Sequence, residues 1–238
     1  MAKILLVTGG CRSGKSAYAQ HRAMALPGRR AYVATCPVVD EEMARRIAAH
    51  RRAREGQGWV TVEEPTDLEG VLRRHAAMDV LLIDCLTLWI NNLLYDAGRA
   101  GREMDDPPCH EMLDAAEACR GSVIFVSNEV GLGIVPENPL ARRYRDLVGQ
   151  ANQLVAQRAE EVVLMCCGIP LPVKGGGSSP PLPPAEGWGE GKSPMIRLPA
   201  RTGVAAGANG IANDPTTSET AVSPGGHAGR TSNRRPLP

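Results

Sequence analysis

Five short apolar runs recur along the chain: Ile4–Val7, Ala31–Ala34, Val80–Ile83, Val123–Val126 and Val162–Cys166. None alternates with polar residues, so each reads as a strand buried on both faces, as in a parallel sheet covered by helices. Val60-Thr61-Val62, behind Trp59, reads as a further short strand leading to Glu63. Helix-compatible segments lie between the runs: Ser16–Ala25, Asp40–Arg54 with Met43 and Ile47 one turn apart, Leu86–Leu94, Cys109–Cys119 and Pro139–Glu160. The alternation predicts a three-layer α/β domain with a mostly parallel sheet flanked by helices.

The pattern stops after Lys174. From Gly175 to Pro238 the chain is dominated by Gly, Pro, Ser, Ala and Thr and shows no sustained period. Such a segment buries too little apolar surface to offset its ordering entropy. Residues 1–174 are therefore expected to form the folded catalytic domain, and residues 175–238 a low-complexity, disordered tail.

Composition narrows the picture. The net charge is +1, which argues for neither nucleic acid nor an acidic membrane as a partner. Aromatic residues make up only 3% and Phe125 is the single Phe, so the core must be built from aliphatic side chains. The seven Cys show no C-x-x-C pair or zinc spacing, which indicates neither a disulfide framework nor a structural metal. Cys166-Cys167, at the end of an apolar run, are expected to be buried thiols. No leader-like segment precedes the first strand, and no apolar run reaches the ~18 residues of a membrane span. A cytoplasmic protein is the expectation.

The candidate chemistry begins where the first strand ends. Gly9-Gly10-Cys11-Arg12-Ser13-Gly14-Lys15-Ser16 has the form G-x-x-x-x-G-K-S between a strand and a helix, the pattern of a nucleotide phosphate-binding loop. Gly9 and Gly14 let the backbone turn tightly. The loop N–H groups and the helix start then converge on phosphate. In such loops Lys15 would reach the β- and γ-phosphates and Ser16 would ligate Mg²⁺. Val80–Asp84 is an apolar strand ending in an acid. Asp84 either caps the next helix or holds Mg²⁺ beside the loop, and the loop favours the metal role.

Other polar positions are less decided by pattern. His50 stands among Arg46, Arg51, Arg52 and Arg54. It is an exposed His on a basic helix, or a neutral nucleophile whose protonation the arginines disfavour. Ser127-Asn128-Glu129 follow a strand, where ligands of open α/β sheets bind, or simply form a turn. Thr87 and Asn92 could supply hydrogen bonds. His21, His75 and His110 read as surface or packing residues.

These residues together resemble the bifunctional adenosylcobinamide kinase / adenosylcobinamide-phosphate guanylyltransferase family of cobalamin biosynthesis. The resemblance is carried by Val7–Ser16, Tyr32–Thr35, Asp40-Glu41-Glu42-Met43 through Arg46-Ile47 to His50-Arg51, and Trp59–Glu63. It continues with Asp84-Cys85-Leu86-Thr87, Asn92–Leu94, Ser127–Gly131 through Pro136, and Arg142–Asn152. The D-E-E-M run, a His seven residues beyond its Met, and S-N-E-V-G-x-G-I-V-P are more specific than the phosphate loop.

The resemblance implies a P-loop NTPase, RecA-like fold and two reactions. A nucleoside triphosphate phosphorylates adenosylcobinamide, and GTP then transfers GMP to the resulting phosphate. It implies ATP and GTP as substrates, Mg²⁺ as cofactor and His50 as the guanylylated residue, with Lys15 assisting. It places nucleotide contacts on Gly9 to Ser16, on Ala34, Thr35 and Cys36, on Arg51, Arg52, Ala53 and Arg54, and on Glu63 and Asp84. A homotrimer is implied as well. Cys11 departs from the small residue more usual at its position, and the tail has no counterpart. Two rival readings are a P-loop kinase or NTPase without guanylyl transfer, and a nucleotide-binding switch without catalysis.

Overall fold

The computed structural model describes residues 2–37 and 41–175, without the side chains of Glu42, Met43, Arg46, Ala49, His50 and Ala53. Seven strands are ordered β3-β2-β4-β5-β1-β6-β7 across one sheet. They are β1 (Ile4–Gly9), β2 (Arg30–Ala34), β3 (Trp59–Glu63), β4 (Val80–Asp84), β5 (Ser122–Val126), β6 (Glu161–Cys166) and β7 (Ile169–Lys174). All neighbours pair in parallel except β6 and β7.

The parallel strands are apolar on both sides because both faces are covered. Ile4 and Leu6 of β1 pack on one face with α3 (Leu68–Arg74), α4 (Leu86–Arg99), α5 (Cys109–Glu117) and α6 (Pro139–Arg158). Leu5 and Val7 point to the other, where Tyr18, Ala19 and Ala23 of α1 (Lys15–Met24) meet Tyr32, Leu82 and Ile124. The expected α/β architecture is thus present, with Trp89, Tyr18 and Phe125 as its largest buried side chains. In α2 (Glu41–Arg54), Arg54 is the only buried residue among those whose side chains are described.

Two elements were not expected. The short α3 is capped by Asp67, whose carboxylate accepts from the Gly70 N–H at 2.8 Å. The edge strand β7 contains Pro170 and Pro172, residues that argue against a strand except at a sheet edge. It forms because Cys167 and Gly168 both take positive φ, 52° and 82°, as a two-residue type I′ hairpin requires. That turn also corrects the expectation for the cysteine pair. Cys166 and Cys167 are exposed, not buried, because the hairpin carries them past the end of the parallel sheet. Of the predicted tail, only Gly175 falls within the described residues.

Candidate active site

Because β1, β2, β3, β4 and β5 run parallel, their C-terminal ends share one edge of the sheet. The phosphate-loop residues, Thr35-Cys36, Asp84 and Ser127–Glu129 all gather there. One strand, β5, separates β1 from β4.

The loop is built by its glycines and by the β6–β7 turn behind it. Gly9 has φ 146°, and a Cβ there would stand 2.4 Å from the Met165 carbonyl oxygen. Gly14 enters α1 with φ 91°. Arg12 also takes positive φ, at 53°. The Gly168 N–H donates to the Ser13 carbonyl at 3.1 Å, tying the hairpin turn to the loop. At the start of α1 no side chain caps the helix and its first turn holds no acid, which leaves the N–H groups available to an anion. Lys15 is buried, and its Nζ donates to the Gly10 carbonyl at 2.6 Å. Burial lowers its pKa, opposed by Cys85, Asp84 and Cys11 nearby. A buried ammonium held by its own loop is poised to exchange that carbonyl for phosphate oxygens.

A cavity of about 190 Å³ lies beyond the loop, and Ser16, Tyr32, Ala34, Cys36, Arg51, Arg54, Glu63 and Asp84 line it. Seven of these were expected to touch nucleotide, and Tyr32 was not. Ile47, Thr61 and Leu88 complete the lining and were also not foreseen. A second, more open hollow of about 560 Å³ shares Arg51, Arg54, Thr61 and Glu63 with it and reaches Trp59. Arg51 and Glu63 form an ion pair between α2 and β3. Arg54 is 95% buried by its 5% residual exposure, with its guanidinium carbon 3.5 Å from the centre of the Tyr32 ring. Its Nε and Nη1 have no hydrogen-bond partner. Burial lowers its pKa, while Tyr32 and Asp84 favour its charge.

Some expected residues stand elsewhere. Thr35 is fully buried and its polar groups are committed. Its hydroxyl exchanges hydrogen bonds with the Cys85 backbone at 2.8 Å each way, its N–H donates to Asp84 and its carbonyl accepts from Asn92. Thr35 therefore braces the ends of β2 and β4 and does not line the cavity. Asn92 also donates to the Pro65 carbonyl, so it ties two loops together. Arg52 is exposed, away from the cavity lining. The side chains of His50 and Ala53 lie outside the described residues, although both positions belong to α2.

Beside β1, the Glu129 carboxylate accepts from the Thr8 hydroxyl at 2.6 Å and from Asn152 Nδ2 at 3.2 Å. Asn152 also donates to the Asn128 carbonyl at 3.0 Å and meets the Ser127 hydroxyl at 2.5 Å. The segment after β5 is thus fastened to both the phosphate-loop strand and α6.

The donor set suits Mg²⁺. Ser16 and Asp84 offer a hydroxyl and a carboxylate to one cavity, hard oxygen ligands of the kind Mg²⁺ takes alongside substrate phosphates and water. Among the described residues no cluster of three or more His, Cys, Asp or Glu could cage a metal alone.

A family model described as cobinamide kinase / cobinamide phosphate guanyltransferase matches residues 5–173. The chain belongs to this family. The match spans every described strand, from β1 into β7. Relatives agree with it. The bifunctional adenosylcobalamin biosynthesis protein CobP of Pseudomonas aeruginosa is 44% identical over 173 residues, covering 71% of this chain and 96% of the relative. Proteins named bifunctional adenosylcobalamin biosynthesis protein CobU, from Escherichia coli and Salmonella typhimurium, are each 38% identical, covering 72% of this chain and 99% of theirs. The family match ends at residue 173, within β7, while the relatives are matched over 96–99% of their own length and 71–72% of this chain.

Proposed function

We propose that this chain carries both activities of its family: phosphorylation of adenosylcobinamide, and transfer of GMP from GTP to adenosylcobinamide phosphate through a guanylyl-His50 intermediate. The observation that supports this most is the junction of a phosphate loop with a cavity lined by Asp84, Glu63 and two arginines of α2, the helix that carries His50. A kinase alone needs the loop and an acid. It has no need of a buried guanidinium with two unpaired nitrogens four residues beyond a histidine on the same helix.

In the transferase reaction GTP lies with its β- and γ-phosphates on the Gly9–Ser16 backbone and Lys15. Ser16 and Asp84 would hold Mg²⁺, which would supply charge neutralisation on the phosphate oxygens. A neutral His50 nitrogen attacks the α-phosphorus. The bond from that phosphorus to the bridging oxygen breaks, and its electron pair leaves with pyrophosphate. Lys15 stabilises the charge that develops on the leaving group. A phosphate oxygen of the corrinoid then attacks the guanylyl phosphorus, the P–N bond breaks and His50 is regenerated. In the kinase reaction the aminopropanol hydroxyl attacks the γ-phosphorus of a triphosphate on the same loop; the bond from that phosphorus to the β,γ-bridging oxygen breaks, the nucleoside diphosphate leaves with its electron pair, and the hydroxyl proton passes to solvent.

We assign Gly9–Ser16, Ala34, Cys36, Arg51, Arg54, Glu63 and Asp84 to the nucleotide, with Arg52 and Ala53 beside them on α2. A homotrimer and a cytoplasmic location complete the reading. Leu132, Ile134, Val135 and Leu140 are exposed, an apolar segment that an adjoining subunit would cover. No described helix is long and apolar enough to cross a membrane.

The test is covalent labelling with α-³²P GTP and Mg²⁺, wild type beside His50→Ala. Base-stable, acid-labile label on wild type and none on the variant is the expected result. Label retained by His50→Ala sinks the nucleophile assignment. Absence from both, with GTP still bound, leaves a kinase.

A further inference from the structure

Tyr32 sits at the crossing of three contacts that neither the family pattern nor the phosphate loop accounts for. Its hydroxyl donates to Asp84 Oδ2 at 2.8 Å. Its ring carries the Arg54 guanidinium on one face, 3.5 Å from the centroid. Trp59 of β3 meets the same ring edge-on, with centroids 6.1 Å apart and planes at 89°. The residue is 4% exposed. We propose that Tyr32 is a positioning residue for guanylyl transfer, fixing the Asp84 carboxylate through its hydroxyl and seating Arg54, with the end of the His50 helix, through its ring. This rests on the reading of the site given above.

The physical case has two parts. A carboxylate that ligates Mg²⁺ must present one chosen oxygen, and an outer partner fixes which. With Oδ2 accepting from Tyr32, Oδ1 is the Asp84 oxygen that would be left to a metal. The second part concerns α2. Its other described side chains are exposed or half-buried, so the Arg54–Tyr32 stack is the buried contact, beside the Arg51–Glu63 ion pair, that fastens its C-terminal end to the sheet. A guanidinium desolvated against an aromatic face is strongly held, and its unpaired Nε and Nη1 stay free for a ligand oxygen. One side chain of β2 therefore links the metal ligand to the helix of the nucleophile.

Two substitutions separate the contacts. Tyr32→Phe removes the hydroxyl and keeps the ring, whereas Tyr32→Leu removes both. GTP binding is measured by calorimetry in EDTA and across a Mg²⁺ titration, and the α-³²P labelling rate is followed in parallel. Tyr32→Phe should bind GTP as wild type does in EDTA but need about tenfold more Mg²⁺ to reach full affinity, the loss typical of an outer-shell partner. At saturating Mg²⁺ its labelling rate should return to near the wild-type value, because Arg54 is still seated. Tyr32→Leu should label slowly at any Mg²⁺ concentration, in step with Arg54→Ala. An unchanged Mg²⁺ dependence in Tyr32→Phe overturns the proposal, whatever Tyr32→Leu does to folding. If wild type takes no label, the guanylyltransferase reading falls, and the Mg²⁺ dependence of GTP binding still decides the Tyr32–Asp84 contact.

Discussion

Two neighbouring glycines of the phosphate loop have different reasons to be glycine. Gly9 holds φ 146° with the Met165 carbonyl where a side chain would go, whereas a Cβ at Gly10 would meet nothing within 4 Å. Gly9→Ala should therefore cost about 2 kcal/mol or more of stability from backbone strain alone, before the clash is counted. Gly10→Ala should leave the melting temperature of the nucleotide-free protein nearly unchanged. Equal melting temperatures for the two variants would contradict the loop geometry. At this scale the phosphate loop is plain in the sequence, because its chemistry is local and its spacing is fixed by the turn. Tyr32 is not, since its meaning depends on Asp84 and Arg54, which only the sheet and α2 bring to it. The partners of Thr35 are likewise set by the fold. This residue adjoins cavity-lining residues, but a buried hydroxyl takes whatever partner the fold provides, here the Cys85 backbone.

Among the elements, α6 does more than cover the sheet. Asn138 caps it, accepting from the N–H groups of Leu140 and Ala141, and Pro139 begins it, a start that is readable from sequence. Four turns later Asn152 reaches the segment after β5 and satisfies Asn128 and Glu129. Asn152→Ala should leave these groups short of a partner and destabilise the protein by about 2 kcal/mol, readable as a lower urea midpoint. A shift within error would mean that the segment is held mainly by Arg142 and Arg145, which donate to its carbonyls. The five buried strands were readable because a strand covered on both faces must be apolar throughout. The hairpin partner β7 was not, because its prolines speak against a strand and its turn is visible only in the dihedral angles of Cys167 and Gly168. The seven-residue α3 gave too few turns for its period to stand out.

For the molecule as a whole, alkaline pH should be destabilising in a defined way. Burial pushes the Cys109 thiol from 9.0 up to about 12. Burial and the nearby Cys85 push the Tyr144 phenol from 10.0 up to about 12, against the opposing effect of the Thr87 side chain. Across that window the folded state keeps protons that the unfolded chain releases, so stability present below about pH 9 is lost as pH rises toward 12. Urea midpoints should fall steadily from about pH 9 upward. A flat profile would show that these groups titrate alike in both states. At the same scale, a chain ending at Gly175 should melt and bind GTP as the full chain does. The family match ends at residue 173, and the relatives are matched over 96% or more of their length by 71–72% of this chain. A large loss of GTP affinity on truncation would give the Gly/Pro-rich segment a function.

The hairpin that closes behind the phosphate loop sets an order of events during synthesis. Residues 9–16 leave the ribosome before the elements that complete their loop. The strand paired alongside them, β6, and the turn whose Gly168 N–H meets Ser13 come about 150 residues later. The nascent chain therefore carries an unfinished nucleotide cradle while those intervening residues are made, and GTP can assist folding only once β6 and its turn have joined the loop.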